Sequence, residues 1–444
     1  MARVCGLAAA VALALFSPYL RGEELSLNQA VSFALQHNLD VMNAALDISK
    51  AKDRSSAFRS TFFPKISLYA LGSEQLVPIS ITIPAGTLGT YKIIGPLPAQ
   101  NVPYTTPAVP TGFILGRVAQ PLSGLYRTKL NSHVLNYSEL LAQQKLRAKR
   151  QDIVRDVKQI YYGIEQVESS RQVITETVTL YKEVERLTND YVLKQTALEA
   201  DLLQSQAALA DAQQSDLSLA NQEAKLKEQL NDLLGRDVLI EFDVVPMNEA
   251  IVSYKVDLAA ARQKALAHRP EVEQAHLKVL QSQEELRAKK AEYIPDISAE
   301  FNSFSILNYN AFLPTGSYSI GLSLTWEPFD WGRKKNEMAE KRDTIFQDRN
   351  TQTSTERKVI MDVDDKYRQI QQTTSKLHTA QVTQHAATES LRVDKNQYEV
   401  QAALLKVVLQ AETTLAQANS DYVHAMADYW SARADFDHAI GEDK

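Results

Sequence analysis

The sequence is short of the residues that cross-link or interrupt a chain. Its 444 residues include one cysteine, 15 glycines and 15 prolines. Neither glycine nor proline occurs from Arg333 to Ile440, which is 108 residues (440 − 333 + 1). Because these two residues punctuate local structure most strongly, this stretch predicts very long helices. The single cysteine, Cys5, excludes a disulfide within the chain.

Signatures of charge-driven binding and of catalysis are also missing. The formal net charge is −6 and no basic run stands out, so nucleic-acid binding has no electrostatic footprint. We find no Gly-rich phosphate loop, no HExxH pair and no G-x-S-x-G elbow. His37 and His268 are expected to be packed or hydrogen-bonded on a helix seam, and His378 and His385 to share a helix face. We therefore expect no enzyme activity, no cofactor and no bound metal.

Long apolar runs are limited to the N-terminus. A charged start, an apolar run from Leu7 to Phe16 and a polar stretch from Arg21 are typical of a secretory signal, here assigned to residues 1–22. The alternative is an ordinary apolar helix of a cytosolic protein. Elsewhere no run reaches 18 apolar residues, so no membrane-spanning helix is expected.

An internal duplication dominates the rest of the chain. Leu27–Ser67 aligns without a gap with Leu258–Ser298 at an offset of 231 (258 − 27). Twelve of the 41 aligned positions are identical. In the first copy they are Leu27, Ala30, Ala34, Leu35, His37, Val41, Ala44, Leu46, Ala57, Pro64, Ile66 and Ser67. Such self-similarity predicts two copies of one structural unit. We assign the first repeat to residues 23–245, a linker to 246–257 and the second repeat to 258–444.

In each repeat the sequence pattern predicts helices separated by a pair of strands. A heptad stripe runs from Leu27 to Ile48, and the helix is expected to continue to just before Pro64. After the strands, long helix hairpins are expected at about 125–234 and about 332–440. From Arg333 to about Gln397 the helix would have roughly 65 residues, or about 100 Å at 1.5 Å per residue. The hairpin turns are expected near Lys194–Ala197 and Gln401–Ala403.

The strands are predicted by alternation with a period of two. The expected ranges are about 65–77, 112–122, 296–306 and 317–328, and a Pro-rich loop separates the first two. The clearest apolar face is that of the last strand, where Tyr318, Ile320, Leu322, Leu324 and Trp326 alternate with Ser319, Gly321, Ser323 and Thr325. These five apolar residues are expected to face lipid.

Four strands of this length fit a membrane, because a tilted spanning strand has about 9–11 residues. A four-stranded sheet cannot stand alone in lipid, since its edge amides would have no hydrogen-bond partners. Three chains would supply twelve strands and an aqueous lumen, whereas two would give a barrel filled by side chains. The competing interpretation is a pair of hairpins packed on a soluble core.

The duplicated order of helix, proline, strand, loop, strand, proline and long helix hairpin resembles the TolC-like outer membrane efflux proteins. The resemblance covers Leu25 to Gly441. The matching segments are Leu27-Asn28-Gln29-Ala30-Val31, Phe63-Pro64-Lys65-Ile66, Gln120-Pro121-Leu122, Glu327-Pro328-Phe329-Asp330-Trp331-Gly332-Arg333, and the pairs Tyr191…Gln204 and Tyr398…Gln410.

This resemblance implies a mainly α fold with β-hairpins: a homotrimer whose twelve-stranded outer-membrane barrel continues into a twelve-helix periplasmic tunnel. Its partners would be a periplasmic adaptor protein, an inner-membrane transporter and outer membrane lipid, with no nucleic acid. Adaptor contacts would lie at the hairpin tips, and a periplasmic entrance beside them. The implied tip residues are Lys194, Gln195, Thr196, Gln401, Ala402 and Ala403, and the implied entrance residues are Asp201, Gln204, Val407 and Gln410.

The chain departs from the family pattern at both sites. The family often has glycine three residues after the tip tyrosine, where this chain has Lys194 and Gln401. Acidic residues ring the entrance in the type member, whereas only Asp201 is acidic here. The resemblance implies passive export of small molecules or proteins, in a tripartite efflux or type I secretion system of a Gram-negative-type cell. A periplasmic coiled-coil scaffold or adaptor without a pore is the alternative.

Overall fold

The computed structural model describes residues 23–74, 76–78, 80–105, 108–196, 198–246, 257–307, 315–399, 402 and 405–442. The expected signal peptide and most of the expected linker lie outside these residues. The described chain divides into two compact units. The first comprises the chain up to Asn43, Arg147–Arg269 and the chain from Val359, and the second comprises Ala44–Leu146 and Pro270–Lys358.

The helices follow the duplication closely. Helices α1 (Leu27–His37) and α2 (Leu39–Arg59) correspond to α5 (Leu258–His268) and α6 (Pro270–Lys290), and all four ends differ by the same 231 residues. The long helices are α3 (Gly124–Leu193), α4 (Glu199–Leu233), α7 (Arg333–Glu399) and α8 (Leu405–Ala439). Within the described residues, no helix is both long and apolar enough to cross a membrane.

The first predicted helix is interrupted, which the heptad stripe did not indicate. Asn38 has an extended backbone (φ −60°, ψ 129°) between α1 and α2. Its side-chain oxygen accepts hydrogen bonds from Asp40 N (2.9 Å) and Val41 N (3.1 Å), and its amide donates to Leu233 O (2.9 Å). Asn38 thus caps the start of α2 and ties it to the end of α4. A stripe of apolar residues cannot reveal this break, because it continues on both sides.

A glycine makes the approach of α4 to this break possible. Gly235 follows α4 with φ +67°, and a Cβ there would lie 2.2 Å from His37 O. Gly441 has the same role after α8, with φ +77° and a Cβ position 3.0 Å from Arg269 N. The left-handed backbone and the close contact both require glycine. The joint is therefore repeated with the duplicated unit.

The core of the first unit forms where α3 and α8 present heptad faces. Val157, Tyr161, Ile164 and Phe436 are fully buried. The Tyr161 hydroxyl lies 2.9 Å from Leu25 O and 2.7 Å from Val245 O. These carbonyls flank a parallel pair of short strands, β1 (Glu23–Leu25) and β8 (Phe242–Val244). Burial raises the pKa of Tyr161 to about 12, so the hydroxyl stays protonated and can donate.

The second unit contains the remaining strands. Strands β2 (Lys65–Glu74), β7 (Pro110–Pro121), β9 (Asp296–Leu307) and β10 (Gly316–Thr325) form one antiparallel sheet. The predicted Pro-rich loop instead contains two small ribbons, β3 (Ser80–Ile83) with β6 (Val102–Thr105), and β4 (Thr90–Tyr91) with β5 (Gly95–Pro96). A two-stranded ribbon tolerates proline, because each strand has a free edge.

Polar contacts join the helices of the second unit. Gln281 of α6 donates to Val134 O (3.3 Å) and to Ser138 Oγ (2.8 Å) of α3. Leu130, Ala288 and Ala291 form a buried apolar cluster beside these contacts. Lys341 of α7 pairs with Glu285 of α6 at 2.7 Å. These contacts hold α3, α6 and α7 together within the second unit.

Candidate functional site: a sheet with two distinct faces

The sheet joins the strand pairs of the two repeats. The strand order is β10-β9-β7-β2, so the central pairing of β7 with β9 connects one repeat to the other. Phe113 lies opposite Ile306, and Pro121 lies opposite Ser298. β2 and β10 are the outer strands, and in the described part of the chain neither pairs with another strand on its outer side. Each therefore presents an open row of backbone donors and acceptors.

The register places apolar side chains on one face across all four strands. Along one row of partners, Leu322 is opposite Ala299, and Ala299 is opposite Gln120. In the next rows toward the loops the same face carries Ile320, Phe301, Val118 and Ile66, followed by Tyr318, Ser303, Gly116 and Leu68. Ile320 is 87% exposed and Leu68 is 75% exposed. An apolar surface this wide and this exposed fits a membrane or a partner.

The opposite face is polar toward the helices. It carries Ser67, Ser319, Ser323 and Asn302, and an ion pair between Arg117 of β7 and Glu300 of β9. Toward the loops this face becomes apolar, and the rings of Phe113 and Phe304 stack at 6.3 Å. The two faces therefore differ in chemistry most strongly over the half of the sheet nearest the helices.

All five residues expected to face lipid lie on the apolar face or continue it. Tyr318, Ile320, Leu322 and Leu324 are in β10, and Trp326 directly follows it; all five are exposed. The matching apolar positions of β2 and β7 were not singled out from the sequence, because alternation there is less regular. The register of β7 with β9 assigns them to the same face.

The junction from β10 to α7 is held by Asp330. Its carboxylate accepts from Gly332 N (3.1 Å) and Lys334 N (2.9 Å), and these two hydrogen bonds lower the pKa of Asp330. Arg333 pairs with Glu327 at 2.6 Å. The junction therefore has a defined conformation, in which the last strand residues and the first helical turn are linked directly.

The first helix-hairpin tip contains three of the expected contact residues. Lys194, Gln195 and Thr196 lie between α3 and α4 and are exposed. Gln195 has a positive φ of 61°, and Thr196 N and Oγ1 both donate to Tyr191 O, at 2.9 and 3.0 Å. The turn is thus formed without glycine, although a left-handed backbone is uncommon for glutamine.

At the second tip, Gln401 and Ala403 lie outside the described residues. Ala402 is exposed, and its N–H donates to Gln397 O at 2.8 Å. Of the expected entrance residues, Asp201 caps α4 by accepting from Leu198 N (3.3 Å), and Gln204 is exposed one turn later. Val407 and Gln410 line a groove between α7 and α8 together with Asp394.

The histidines singled out from the sequence lie on exposed helix surfaces. His37 is exposed, stacks on Phe33 at 4.2 Å, and lies 3.1 Å from Phe33 O through Nδ1. His378 and His385 are exposed on α7. Among the described residues, no group of three or more histidine, cysteine, aspartate or glutamate side chains could hold a metal ion.

Comparison with known proteins supports the resemblance drawn from the sequence. Residues 261–442 match the family model described as outer membrane efflux protein. No curated protein sequence matches the chain. Most of the second repeat therefore matches this family, and the resemblance to TolC-like outer membrane efflux proteins predicted from the sequence is confirmed.

Solved outer membrane channels share the fold of the chain. CmeC of Campylobacter jejuni matches with a TM-score of 0.76 at 15% identity, covering 94% of this chain and 85% of that one. VceC of Vibrio cholerae matches with a TM-score of 0.72 at 14% identity, covering 94% of this chain and 96% of that one. The open state of MtrE of Neisseria gonorrhoeae matches with a TM-score of 0.71 at 15% identity, covering 94% of this chain and 88% of that one. The expected fold class, duplicated long helix hairpins with four strands per chain, is confirmed.

Proposed function

We propose that this chain, with an outer membrane efflux protein domain in its second half and the fold of outer membrane channels throughout, is the outer membrane channel of an export system. The observation that carries the proposal is the four-stranded sheet, which has one exposed apolar face and, among the residues that the structure describes, no strand partner at either outer edge. The ten-residue strands β2 and β10 match the length of tilted membrane-spanning strands, which is about 9–11 residues.

Three copies of the chain close the sheet. In lipid, every backbone N–H and C=O needs a protein partner, so the outer side of β2 must meet the outer side of β10 of another copy. Two copies would give eight strands and an interior filled by side chains, whereas three give twelve strands and a water-filled lumen. The apolar face with Ile320 and Leu322 faces lipid, and the face with Arg117 and Glu300 faces water. The channel is a homotrimer.

The conduit is passive, and other proteins supply the energy. The long helices extend into the periplasm of a Gram-negative-type cell, and a periplasmic adaptor protein contacts the exposed hairpin tips. These contacts involve Lys194, Gln195 and Thr196 at one tip and Gln401, Ala402 and Ala403 at the other. An inner-membrane transporter delivers small molecules or proteins, as in tripartite efflux or type I secretion.

The periplasmic entrance lies beside the tips, at Asp201, Gln204, Val407 and Gln410. With one acidic residue in four, this entrance does not concentrate positive charge strongly. The adaptor opens it by binding the open arrangement of the helices more tightly than the closed one, because a ligand shifts an equilibrium only through such a difference in affinity.

The proposal is tested by adding purified full-length protein to planar lipid bilayers and measuring its mass in detergent. We expect stepwise increases in conductance and the mass of a trimer. A monomer that stays in solution without detergent and gives no conductance would refute the proposal. That outcome would favour the periplasmic scaffold, in which the apolar sheet face packs against another protein.

A further inference from the structure

Six apolar side chains form a band near the loops, on the face of the four-stranded sheet that carries the Arg117–Glu300 ion pair. We call this band the apolar collar, and its members are Tyr69, Leu71, Phe113, Leu115, Phe304 and Ile306. They occupy two neighbouring rows of the register. Tyr69, Leu115 and Phe304 are partners across one row, and Leu71, Phe113 and Ile306 are partners across the next. The collar therefore combines strands of both repeats.

Polar residues lie on both sides of the collar. In the next row toward the helices, Arg117 is opposite Asn302. In the next row toward the loops, Ser73 is opposite Thr111, and Thr111 Oγ1 donates to Ser73 O at 3.3 Å. Successive rows on one face are about 7 Å apart, because they are two residues apart along each strand. The apolar stretch is thus a narrow band and not a gradual change toward the loops.

Much of the collar is open in the described chain. Tyr69 is 56% exposed, Leu71 46% and Leu115 42%. The rings of Phe113 and Phe304 stack across β7 and β9, with their centroids 6.3 Å apart, and both residues are half-buried. The stacked pair is therefore held by its own chain, whereas the three exposed side chains contribute little to packing.

Closure of the barrel would leave the collar uncovered. Pairing of β2 with β10 of another copy joins backbone groups in the plane of the sheet, so it covers edges and neither face. The collar shares its face with Arg117 and Glu300, which is the face assigned to the water-filled lumen. Lipid does not reach this side of the sheet. Water and dissolved molecules that pass through the channel are then what contacts the collar.

We propose that the apolar collar binds the aromatic rings of small molecules as they leave through the channel. This inference rests on the proposed function and names a class of cargo for it. A ligand ring can stack on Tyr69, Phe113 or Phe304 in the offset or edge-to-face geometry that aromatic pairs prefer. Its apolar surface, together with that of the exposed leucines, is then removed from water. None of the six side chains is charged, so the ring and not the charge of the ligand is recognised.

Binding at an open wall is weak, which suits a channel. A solute on the collar is covered on one side only, whereas an enclosed pocket covers most of its ligand. A conducting channel needs such weak binding, because each solute has to leave again. For a ligand of the size of naphthalene sulfonate we expect a dissociation constant on the order of 1 mM.

The experiment measures how fast a cysteine beside the collar is modified. Ser317 of β10 is the register partner of Phe304 and is exposed. With Cys5 replaced, full-length Ser317→Cys is reconstituted in planar bilayers, and its reaction with a charged methanethiosulfonate reagent is followed as a change in conductance. Naphthalene sulfonate and methanesulfonate are the probes, because they carry the same charge and differ in the aromatic ring. Each is added at about 10 mM, roughly tenfold above the expected dissociation constant.

We expect naphthalene sulfonate to slow the modification of Ser317→Cys roughly threefold or more, and methanesulfonate to leave the rate unchanged. Ser323→Cys is the matched control, because Ser323 lies on the same strand and face but about 20 Å nearer the helices. Neither probe should change its rate. Adding Tyr69→Ser and Leu115→Ser to Ser317→Cys should remove most of the protection and leave conducting trimers, because both side chains are exposed. Protection that survives these two changes would contradict the role of the collar.

The outcomes distinguish this proposal from the proposed function. In conducting trimers, equal rates with and without naphthalene sulfonate, or equal slowing by both sulfonates, would overturn binding of aromatic rings and leave the channel intact. If Ser323→Cys reacts and Ser317→Cys does not react at all, protein covers the collar, such as the ribbon of β3 and β6, and the proposal is also wrong. Protein that forms no conducting trimers has no lumen and would overturn both proposals.

Discussion

The sharpest consequence of the two-faced sheet concerns a single charge placed in the middle of β10. Ile320 is 87% exposed on the apolar face, near the centre of the ten-residue strand, and Ser319 is its neighbour on the polar face. Changing Ile320 to lysine should prevent assembly in the membrane. Changing Ser319 to lysine should be tolerated, because that side chain would point to water.

The expected free-energy cost of the lysine depends on how deep its side chain lies in the bilayer. A lysine on the lipid face costs about 2–4 kcal/mol at the bilayer midplane and about 0–1 kcal/mol near the boundary. Since every copy carries the change, a trimer loses roughly 6–12 kcal/mol. Leu324 lies four residues further along β10, about 13 Å along the strand. At a tilt of about 45° this is about 9 Å in depth, so Leu324→Lys should cost clearly less than Ile320→Lys.

The assay is the yield of trimer in isolated outer membranes, measured on gels without boiling, together with urea unfolding of the refolded protein in lipid. A loss of 2–4 kcal/mol per copy reduces the folded fraction relative to the unfolded by roughly 30-fold or more. Trimer yield and stability against urea should be highest for wild type and Ser319→Lys, lower for Leu324→Lys and lowest for Ile320→Lys. Equal effects at Ile320 and Ser319 would refute the two-faced sheet, and equal tolerance of both would favour a water-exposed scaffold.

Three further predictions concern the other parts of the molecule. Gly235→Ala should lower the free energy of unfolding by about 2 kcal/mol or more, because its φ is +67° and the new Cβ would lie 2.2 Å from a carbonyl oxygen. Gly321→Ala, with open space around it, is the control. Equal thermal midpoints for the two variants would contradict the close approach of Gly235 to His37. Burial raises the pKa of Asp437 to about 6, which penalises its charged form, so stability from this group is present at low pH and lost as pH rises through 6. Asp437→Asn should therefore raise the free energy of unfolding at pH 8 by about 2–3 kcal/mol at most, seen as a higher thermal midpoint, and change it little at pH 4. A larger effect at pH 4 would contradict this sign. Arg117→Ala should make the pore more cation-selective and Glu300→Gln less so, as measured by reversal potentials across a salt gradient; unchanged potentials in both would show that this face does not line the pore.

The sequence predicted the kinds of element well, because the relevant patterns are local. The alternation after Pro295 and the absence of glycine and proline after Arg333 each depend only on nearby residues, and the duplication at an offset of 231 shows the same order of elements twice. These patterns suffice for the long helices and the strands. They also suffice to place Ile320 and Leu322 on one face, since a strand's side chains alternate by geometry alone.

Features that depend on distant residues could not be predicted in the same way. The pairing of β7 with β9 joins distant residues, such as Phe113 and Ile306, which are 193 positions apart (306 − 113). No local pattern selects these two strands as neighbours. The break at Asn38 depends on its capping bonds and on Leu233 O. An asparagine within a heptad stripe was the available signal, since asparagine favours caps over helix interiors.

The candidate site was predicted in part for the same reason. The apolar face of β10 follows from alternation, but its extension over β9, β7 and β2 needs the register. The left-handed backbone of Trp331 lies within a turn in which Gly332 N and Lys334 N donate to the Asp330 carboxylate, and tryptophan is among the residues least expected there. Backbone strain of this kind runs against local propensity, so local propensity cannot predict it.

The central claim is that the open edges of β2 and β10 pair between copies of the chain, and cysteine cross-linking tests it most directly. With Cys5 replaced, Leu68→Cys in β2 would be combined in turn with cysteine at Tyr318, Ile320, Leu322 or Leu324 in β10, and oxidised in the membrane. We expect at least one pair to give disulfide-linked dimers and trimers with nothing larger, because three copies close a ring. Monomers alone at every pair, or a ladder that continues beyond three, would contradict the claim.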